Sequence, residues 1–139
     1  MTQQSHSASG QFSVTIGAPE AMPVPAGGTP MFRRSLAKQY EGDMQGQAVG
    51  EMLAAGQPQA GAAAYTALES FVGRLQGRSG SFALAHLGLM MSDGQQDLRI
   101  AIVPGSGQGE LLGISGELLL RIAAGVHHYE LNYQLAHHP

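Results

Sequence analysis

The sequence contains no cysteine among its 139 residues. This absence excludes disulfide bonds, thiolate nucleophiles and zinc sites built on thiolates. No apolar run approaches the ~20 residues of a membrane span, and the first residues lack the apolar segment of a secretory signal peptide. We therefore expect a soluble cytoplasmic protein that does not contact membranes.

Charged side chains are also scarce. They make up 12% of the chain, which is about half of the ~25% found in an average domain. The net charge is −3 and the seven basic residues are scattered, so the chain has no basic surface for a nucleic acid. A surface with so little charge indicates that part of it is covered, and we expect a homo-oligomer.

Glycine is abundant, with 20 residues, and its clusters separate short segments in which apolar and polar residues alternate. Such alternation is typical of half-buried strands, and glycine permits sharp turns between them. We count eight candidate strands, a number whose barrel interior is filled by side chains or holds one small ligand. The sequence therefore predicts an all-β fold, an eight-stranded antiparallel β-barrel in a single domain over residues 10–136, after a disordered tail at residues 1–9.

Residues 62–75 are ambiguous. Tyr65, Leu68 and Val72 follow helical spacing behind a run of alanines. In a strand, the same segment places Tyr65, Glu69 and Phe71 on one face. Because the neighbouring segments are predicted strands with short connections, we predict a strand here as well.

The segment between Gly17 and Met31 contains four prolines. Proline at this density excludes a helix or a central strand. We predict a long loop, which is either a cover over a binding site or a surface excursion.

Several motifs occur together along the chain: Tyr65-x-x-Leu-Glu69, Gly77-Arg-Ser-Gly-Ser-Phe82, His86-x-Gly88, Val103-Pro-Gly-Ser-Gly-x-Gly-Glu-Leu111 and His127-x-Tyr129-x-Leu-x-Tyr133. With them, the sequence resembles a bacterial family of small proteins of unknown function from about Gly10 to Leu135. The resemblance implies a barrel like that of allene oxide cyclase, related in shape to the lipocalins. It implies no activity, because the catalytic positions of the plant allene oxide cyclases have no residue-by-residue match here.

The candidate ligand-binding residues are Glu51, Tyr65, Glu69, His86 and Tyr129. Glu51, Glu69 and His86 lie in or beside strands that we expect to line the barrel. Tyr65 shares a strand face with Glu69, and together they would anchor a polar group of a ligand. A carboxylate beside an imidazole is also sufficient for general acid–base chemistry.

These residues leave three functions open. The first is the binding of a small apolar or amphipathic molecule in the barrel, without a cofactor. The second is a cyclase or isomerase that acts on a lipophilic substrate in the barrel cavity. The third is an oligomeric protein with a filled barrel, in which the polar residues fix strand register and Arg33 or Arg74 neutralises the buried carboxylate.

Metal and phosphate sites are not predicted. His127 and His128 are adjacent in a strand and leave it on opposite faces, so they cannot share one ion. Gly105, Gly107 and Gly109 match neither the dinucleotide-binding nor the P-loop spacing.

Two strands are predicted to have an apolar outer surface. Residues 81–91 are apolar on both strand faces, and Leu118, Leu119 and Leu120 place large side chains on both sides of another strand. A strand of a soluble barrel ordinarily exposes one face to water, so a second apolar face needs a cover. We predict a two-fold homodimer that buries Leu119. The alternative cover is the loop at residues 19–30.

Overall fold

The computed structural model describes the backbone of residues 3–136 and the side chains of residues 5–136. Over this range the chain forms ten strands and one turn of 3-10 helix at Pro58–Ala60. The strands are β1 (Gln3–Ile16), β2 (Glu20–Ala21), β3 (Met31–Gly42), β4 (Met44–Gln57), β5 (Ala62–Leu75), β6 (Arg78–Met90), β7 (Gln96–Ile102), β8 (Gln108–Gly109), β9 (Ser115–Ala123) and β10 (Val126–Ala136).

Eight of these strands close into one antiparallel barrel, in the order β1, β3, β4, β5, β6, β7, β9, β10. The ring closes because β1 pairs with both β10 and β3. The two-residue strands β2 and β8 pair with β3 and β6, respectively. The predicted all-β, single-domain barrel is confirmed, as are the strand at residues 62–75 and, apart from β2, the loop after Gly17. Within residues 3–136, no helix is long and apolar enough to cross a membrane.

The contact between β7 and β9 is the weakest seam of the barrel. Among the described residues these strands share one registered pair, Ala101 with Glu117, whereas β5 and β6 pair continuously over thirteen positions. A surface ion pair also crosses the seam, with Arg99 Nη2 3.0 Å from Glu117 Oε1. The pairing between neighbouring strands of the barrel therefore differs in length from one contact to the next.

Two facing glycines let β4 and β5 approach closely. Gly46 pairs with Gly73, and their φ angles are +157° and +159°. A Cβ at either position would overlap the backbone of the opposite strand. Glycines at such positions are typical of the close packing and bends of small barrels.

The prediction of a disordered tail at residues 1–9 is wrong for residues 3–9, which form the first half of β1 and pair with β10. Ala8 is buried, and His6 stacks on Tyr133. The other side chains of this segment are polar, so the sequence did not indicate a strand, although its backbone is paired in the closed barrel. Met1 and Thr2 lie outside the described residues.

One end of the barrel interior is filled. At the end where β3 turns into β4, inward-facing side chains from all sides pack together with two residues of the β8–β9 connection, which covers this end. The buried residues there are Ala8, Met44, Phe71, Leu75, Phe82, Leu111, Ile114, Leu131 and Tyr133.

The opposite end is open. Its inward-facing rows continue with apolar residues that remain exposed to solvent, with exposed fractions from 39% at Phe32 to 60% at Ile122. The cross-strand partners of these residues face the barrel interior as well. We call this set the barrel mouth; its members are Ile16, Phe32, Met90, Leu98 and Ile122.

The apolar outer surface extends in a different direction from the one predicted. Leu119 faces outward as expected, but Glu117 and Arg121 flank it on the same face of β9. From β6 the apolar surface instead continues onto β5 and β4, where three side chains are at least 60% exposed. Because these side chains are exposed, the loop at residues 19–30 does not cover them. This outer apolar face consists of Val49, Leu68, Val72, Ala83, Ala85 and Leu87.

The homodimer stays a prediction, and we now place its interface on the outer apolar face. At ~4.8 Å between strands and ~3.3 Å per residue, three strands and five residues give roughly 240 Å² of flat area. A stable interface buries ~800 Å² per partner, so the predicted dimer must also bury residues around this face. We expect Leu68→Glu to yield a monomer in sedimentation equilibrium at micromolar concentration, because a carboxylate there cannot be desolvated.

Leu119→Glu is the matched control and is expected to leave the mass unchanged, because Leu119 is similarly exposed but lies on β9, outside the outer apolar face. A wild-type chain that sediments as a monomer contradicts this prediction. So does a dimer that survives Leu68→Glu and dissociates with Leu119→Glu.

Candidate functional site

A group of polar side chains lies inside the barrel, between the filled end and the mouth. Its members come from inward-facing positions of β3, β5 and β6, where the alternation of the strands places them among buried apolar residues. We call this group the polar cluster; it consists of Lys38, Tyr40, Tyr65, Glu69 and His86.

The carboxylate of Glu69 is the centre of the polar cluster. Its Oε1 accepts hydrogen bonds from Lys38 Nζ at 2.8 Å and from His86 Nε2 at 2.6 Å. Its Oε2 accepts a third from Tyr40 Oη at 3.0 Å. The side chains of Lys38, Glu69 and His86 are 8%, 0% and 5% exposed. A buried carboxylate is stable only when it is paired and hydrogen-bonded, and Glu69 meets both conditions.

Glu69 is ionised in this environment. Burial by itself would raise the pKa of Glu69, but the hydrogen bond from His86 and the charge and hydrogen bond of Lys38 outweigh it and lower the pKa below 4.5. Burial and the neighbouring Glu69 carboxylate raise the pKa of Tyr40 far above its ordinary value. Tyr40 is therefore a neutral hydrogen-bond donor.

Lys38 is held by aromatic rings as well as by Glu69. Its Nζ lies 4.4 Å from the centroid of the Phe12 ring and 5.8 Å from that of Tyr40. A cation over the face of an aromatic ring is stabilised by the ring quadrupole. This contact adds to the ion pair with Glu69 in holding the ammonium group inside the barrel.

Tyr65 connects the polar cluster to the mouth. Its Oη lies 3.3 Å from His86 Nδ1. Because Nε2 of the same ring donates to Glu69, Nδ1 of a neutral His86 accepts the proton of the Tyr65 hydroxyl. Tyr65 is half-buried, and burial together with the Glu69 charge raises its pKa. Its ring occupies the space above Gly88, where a Cβ would overlap it.

Three of the predicted site residues, Tyr65, Glu69 and His86, meet in the polar cluster, but Glu51 does not. Glu51 lies on the outer face of β4, with its side chain 63% exposed and Oε1 3.5 Å from Arg33 Nε. Its strand lines the barrel as expected, but the Glu51 side chain itself points outward. Inward-facing residues of β4 have even numbers, as the burial of Met44 shows.

Tyr129 is buried inside the barrel, but its hydroxyl forms hydrogen bonds with the backbone. Its Oη accepts a hydrogen bond from Met44 N and donates one to Glu41 O, both at 2.8 Å. Gly10 leaves the space that the hydroxyl occupies. Tyr129 thus fixes the β3–β4 turn against β10. Its ring packs against that of Tyr40 in the polar cluster, with centroids 5.6 Å apart, but its hydroxyl is bonded to the backbone.

The predicted counter-ions of the carboxylate are also wrong. Arg33 pairs with Glu20 and Glu51 on the outer surface, and Arg74 lies on the exposed face of β5. The counter-ion is Lys38, which sequence reasoning missed. Its position in the inward-facing row between Leu36 and Tyr40 was the available signal.

The described part of the chain contains no group of three or more His, Asp or Glu side chains placed to hold a metal ion. In the polar cluster, Glu69 Oε1 is already shared by an ammonium group and an imidazole. What the cluster can do chemically is donate a hydrogen bond, or pass a proton, through Tyr65 to a molecule in the mouth.

Comparisons with known proteins agree with this description of the fold. Residues 8–133 match the model of a family described as a protein of unknown function, DUF3224. A crystal structure of a protein of unknown function from that family, from Shewanella oneidensis MR-1, is 36% identical in sequence. It covers 96% of this chain and 100% of its own, with a TM-score of 0.87. No curated protein matches the chain. The resemblance to a family of unknown function is confirmed.

Replacing the buried carboxylate is expected to destabilise the fold. We expect Glu69→Gln to lower the free energy of unfolding by about 3 kcal/mol, because Lys38 loses its buried counter-ion. The folded-state pKa of Glu69 is depressed, so its ionisation stabilises the wild type above its unfolded pKa, and this stabilisation is lost as pH falls through the folded value.

Urea denaturation at neutral pH, repeated at stepwise lower pH below 4.5, measures both effects. The control is Glu117→Gln, which breaks an exposed ion pair and is expected to cost less than ~1 kcal/mol. The prediction is contradicted if the two variants lose the same free energy of unfolding. It is also contradicted if the stability of Glu69→Gln falls with decreasing pH as steeply as that of the wild type.

Proposed function

The chain belongs to the DUF3224 family, whose function is unknown, and we propose that it binds a small apolar or amphipathic molecule in the barrel mouth. The observation that carries this proposal is the contrast between the two ends of the barrel. One end buries its inward-facing side chains, whereas the other leaves large apolar ones in contact with water. Apolar surface that lines a concave opening is typical of small-molecule sites.

Small side chains inside the mouth would leave space for a ligand. Inward-facing positions of β4 and β5 at this end carry small residues, among them Ala54, Ala63 and Ala67. Large apolar residues lie beside them on the neighbouring strands of the rim, for example Phe32 next to Ala54 and Met90 next to Ala63. An apolar molecule seated there would remove both surfaces from water, at about 25 cal/mol per Å² of apolar area.

Two further features suit such a site. The Tyr65 hydroxyl lies at the floor of the mouth and offers one polar contact to an amphipathic molecule. The proline-rich loop is held at the edge of the mouth, where Gly17 N donates to Ser35 O and Met22 N to Met31 O, both at 2.9 Å. The loop is thereby positioned to contact a bound molecule.

A neutral fluorescent probe tests binding in the mouth. We expect N-phenyl-1-naphthylamine to bind the wild type with increased fluorescence, and Leu98→Asp to weaken this binding at least tenfold, because a carboxylate would be buried against the probe. Leu119 is also exposed, at 54% compared with 42% for Leu98, but lies on the outer surface; Leu119→Asp is therefore the control and is expected to leave binding unchanged.

Absence of a fluorescence change in the wild type would overturn the proposal. Equal weakening by both substitutions would show that the probe binds outside the mouth, and would overturn it as well. Native mass spectrometry of the purified protein provides a second measurement, since a tightly bound lipophile would add its mass.

A second candidate function is favoured by the Tyr65–His86–Glu69 chain, which has the arrangement of a general acid–base relay. In a 1,3-proton shift of an unsaturated ketone, Tyr65 Oη takes the proton from one carbon while its own proton moves to His86 Nδ1. Ionised Glu69 stabilises the imidazolium that forms. Reversal of both transfers returns a proton to the other carbon, so no co-reactant is consumed.

Dec-4-en-2-one tests this second candidate. If the chain is catalytic, the wild type converts it to the conjugated ketone, and Tyr65→Phe lowers the rate at least ~100-fold with an unchanged circular dichroism spectrum. Tyr133→Phe, at the filled end, is the control and retains the rate. A wild type that leaves the ketone unconverted, or a Tyr65→Phe variant that retains the rate, excludes this candidate and leaves the binding proposal in place.

A further inference from the structure

The inward-facing positions of the barrel carry an excess of positive charge. Among the described residues at these positions, Glu69 is the only acid, whereas Arg34, Lys38 and, at the filled end, Arg78 are basic. Glu69 is paired with Lys38 at 2.8 Å. The charge of Arg34 is therefore left over on the inner surface of the mouth.

Arg34 is held in place without being neutralised. Its Nε donates to Gly17 O at 2.8 Å, which ties the side chain to the start of the proline-rich loop. None of the ion pairs between described residues includes Arg34, and its Nη1 and Nη2 donate no hydrogen bond to a described residue. The side chain is partly buried, opposite Met52 in the cross-strand register.

The acidic residues near the open end are arranged otherwise. Glu20 and Glu51 pair with Arg33 on the outer surface. Asp97 is on the outer face of β7, and the Asp93 carboxylate accepts a hydrogen bond from Gln95 N within the β6–β7 turn. None of these four carboxylates lies at an inward-facing position of the described strands.

We infer that the molecule bound in the barrel mouth is an amphipathic monoanion whose carboxylate is bound by Arg34, an inference that rests on the binding function proposed above. The free Nη1 and Nη2 of Arg34 form a fork that matches the two oxygens of a carboxylate. The rim residues Phe32 and Leu98 receive the apolar part of the molecule. The polar cluster does not supply the anion site, since Lys38 lies four residues, or about 13 Å along the strand, from Arg34.

Two ligands with the same chain and different head groups test this inference. Decanoate and decan-1-ol are titrated against the complex with N-phenyl-1-naphthylamine at low ionic strength and a pH at which decanoate is ionised. We expect decanoate to displace the probe from the wild type at a concentration at least tenfold lower than decan-1-ol. We expect Arg34→Gln to abolish this preference, while probe binding itself remains.

Arg121→Gln is the matched control, because it removes one positive charge from the exposed outer face of β9 and is expected to retain the preference. Arg34→Lys keeps the positive charge but lacks the forked guanidinium group. It is expected to retain only part of the preference for decanoate. Should Arg34→Gln fail to fold by circular dichroism, Arg34→Lys carries the test alone, and an undiminished preference in that variant would overturn the inference.

The outcomes separate the two proposals. Equal displacement by decanoate and decan-1-ol in the wild type overturns the anion site and leaves the binding function standing. A preference that survives in folded Arg34→Gln also overturns it. If neither the probe nor either ligand binds the wild type, the proposed function itself fails.

Discussion

The buried carboxylate of Glu69 is the constraint on which the interior of this barrel depends. An ionised carboxylate away from water must keep its hydrogen-bond donors, and here they come from Lys38 and Tyr40 on β3 and His86 on β6. Glu69 itself is on β5, and β4 separates it from β3. The carboxylate therefore links β5 to its neighbour β6 and, across β4, to β3. A slip of any of these three strands by one residue would turn a donor or the acceptor to the outer face.

The polar cluster also divides the barrel into two parts with different roles. On one side, the Leu111 and Ile114 side chains of the β8–β9 connection complete a closed core. On the other side, the inward-facing rows continue but their side chains are not covered. Stability thus resides at the filled end, and the open end is free to have a surface suited to a ligand.

The fold was largely predictable because alternation and turn glycines are local signals. Residues 62–75 needed the additional argument that a helix does not fit between meander strands. Residues 3–9 were missed because their pairing with β10 depends on ring closure. In the site, Tyr65, Glu69 and His86 were found as polar residues at inward-facing positions, whereas the pairing of Lys38 with Glu69 crosses β4 and cannot be derived from either strand alone. Glu51 was misplaced, although the parity of Met44 and Met52 indicates its outward direction.

The seam between β7 and β9 gives the barrel a preferred direction of local unfolding. Parting these strands costs the hydrogen bonds around one registered pair and an exposed ion pair, whereas parting any other neighbours breaks a longer ladder. Among the barrel strands, the amide hydrogens of β7 and β9 that face this seam are therefore expected to exchange first with solvent through partial opening. Since Leu98 at the mouth belongs to β7, such an opening would widen the mouth sideways and admit molecules bulkier than its resting width.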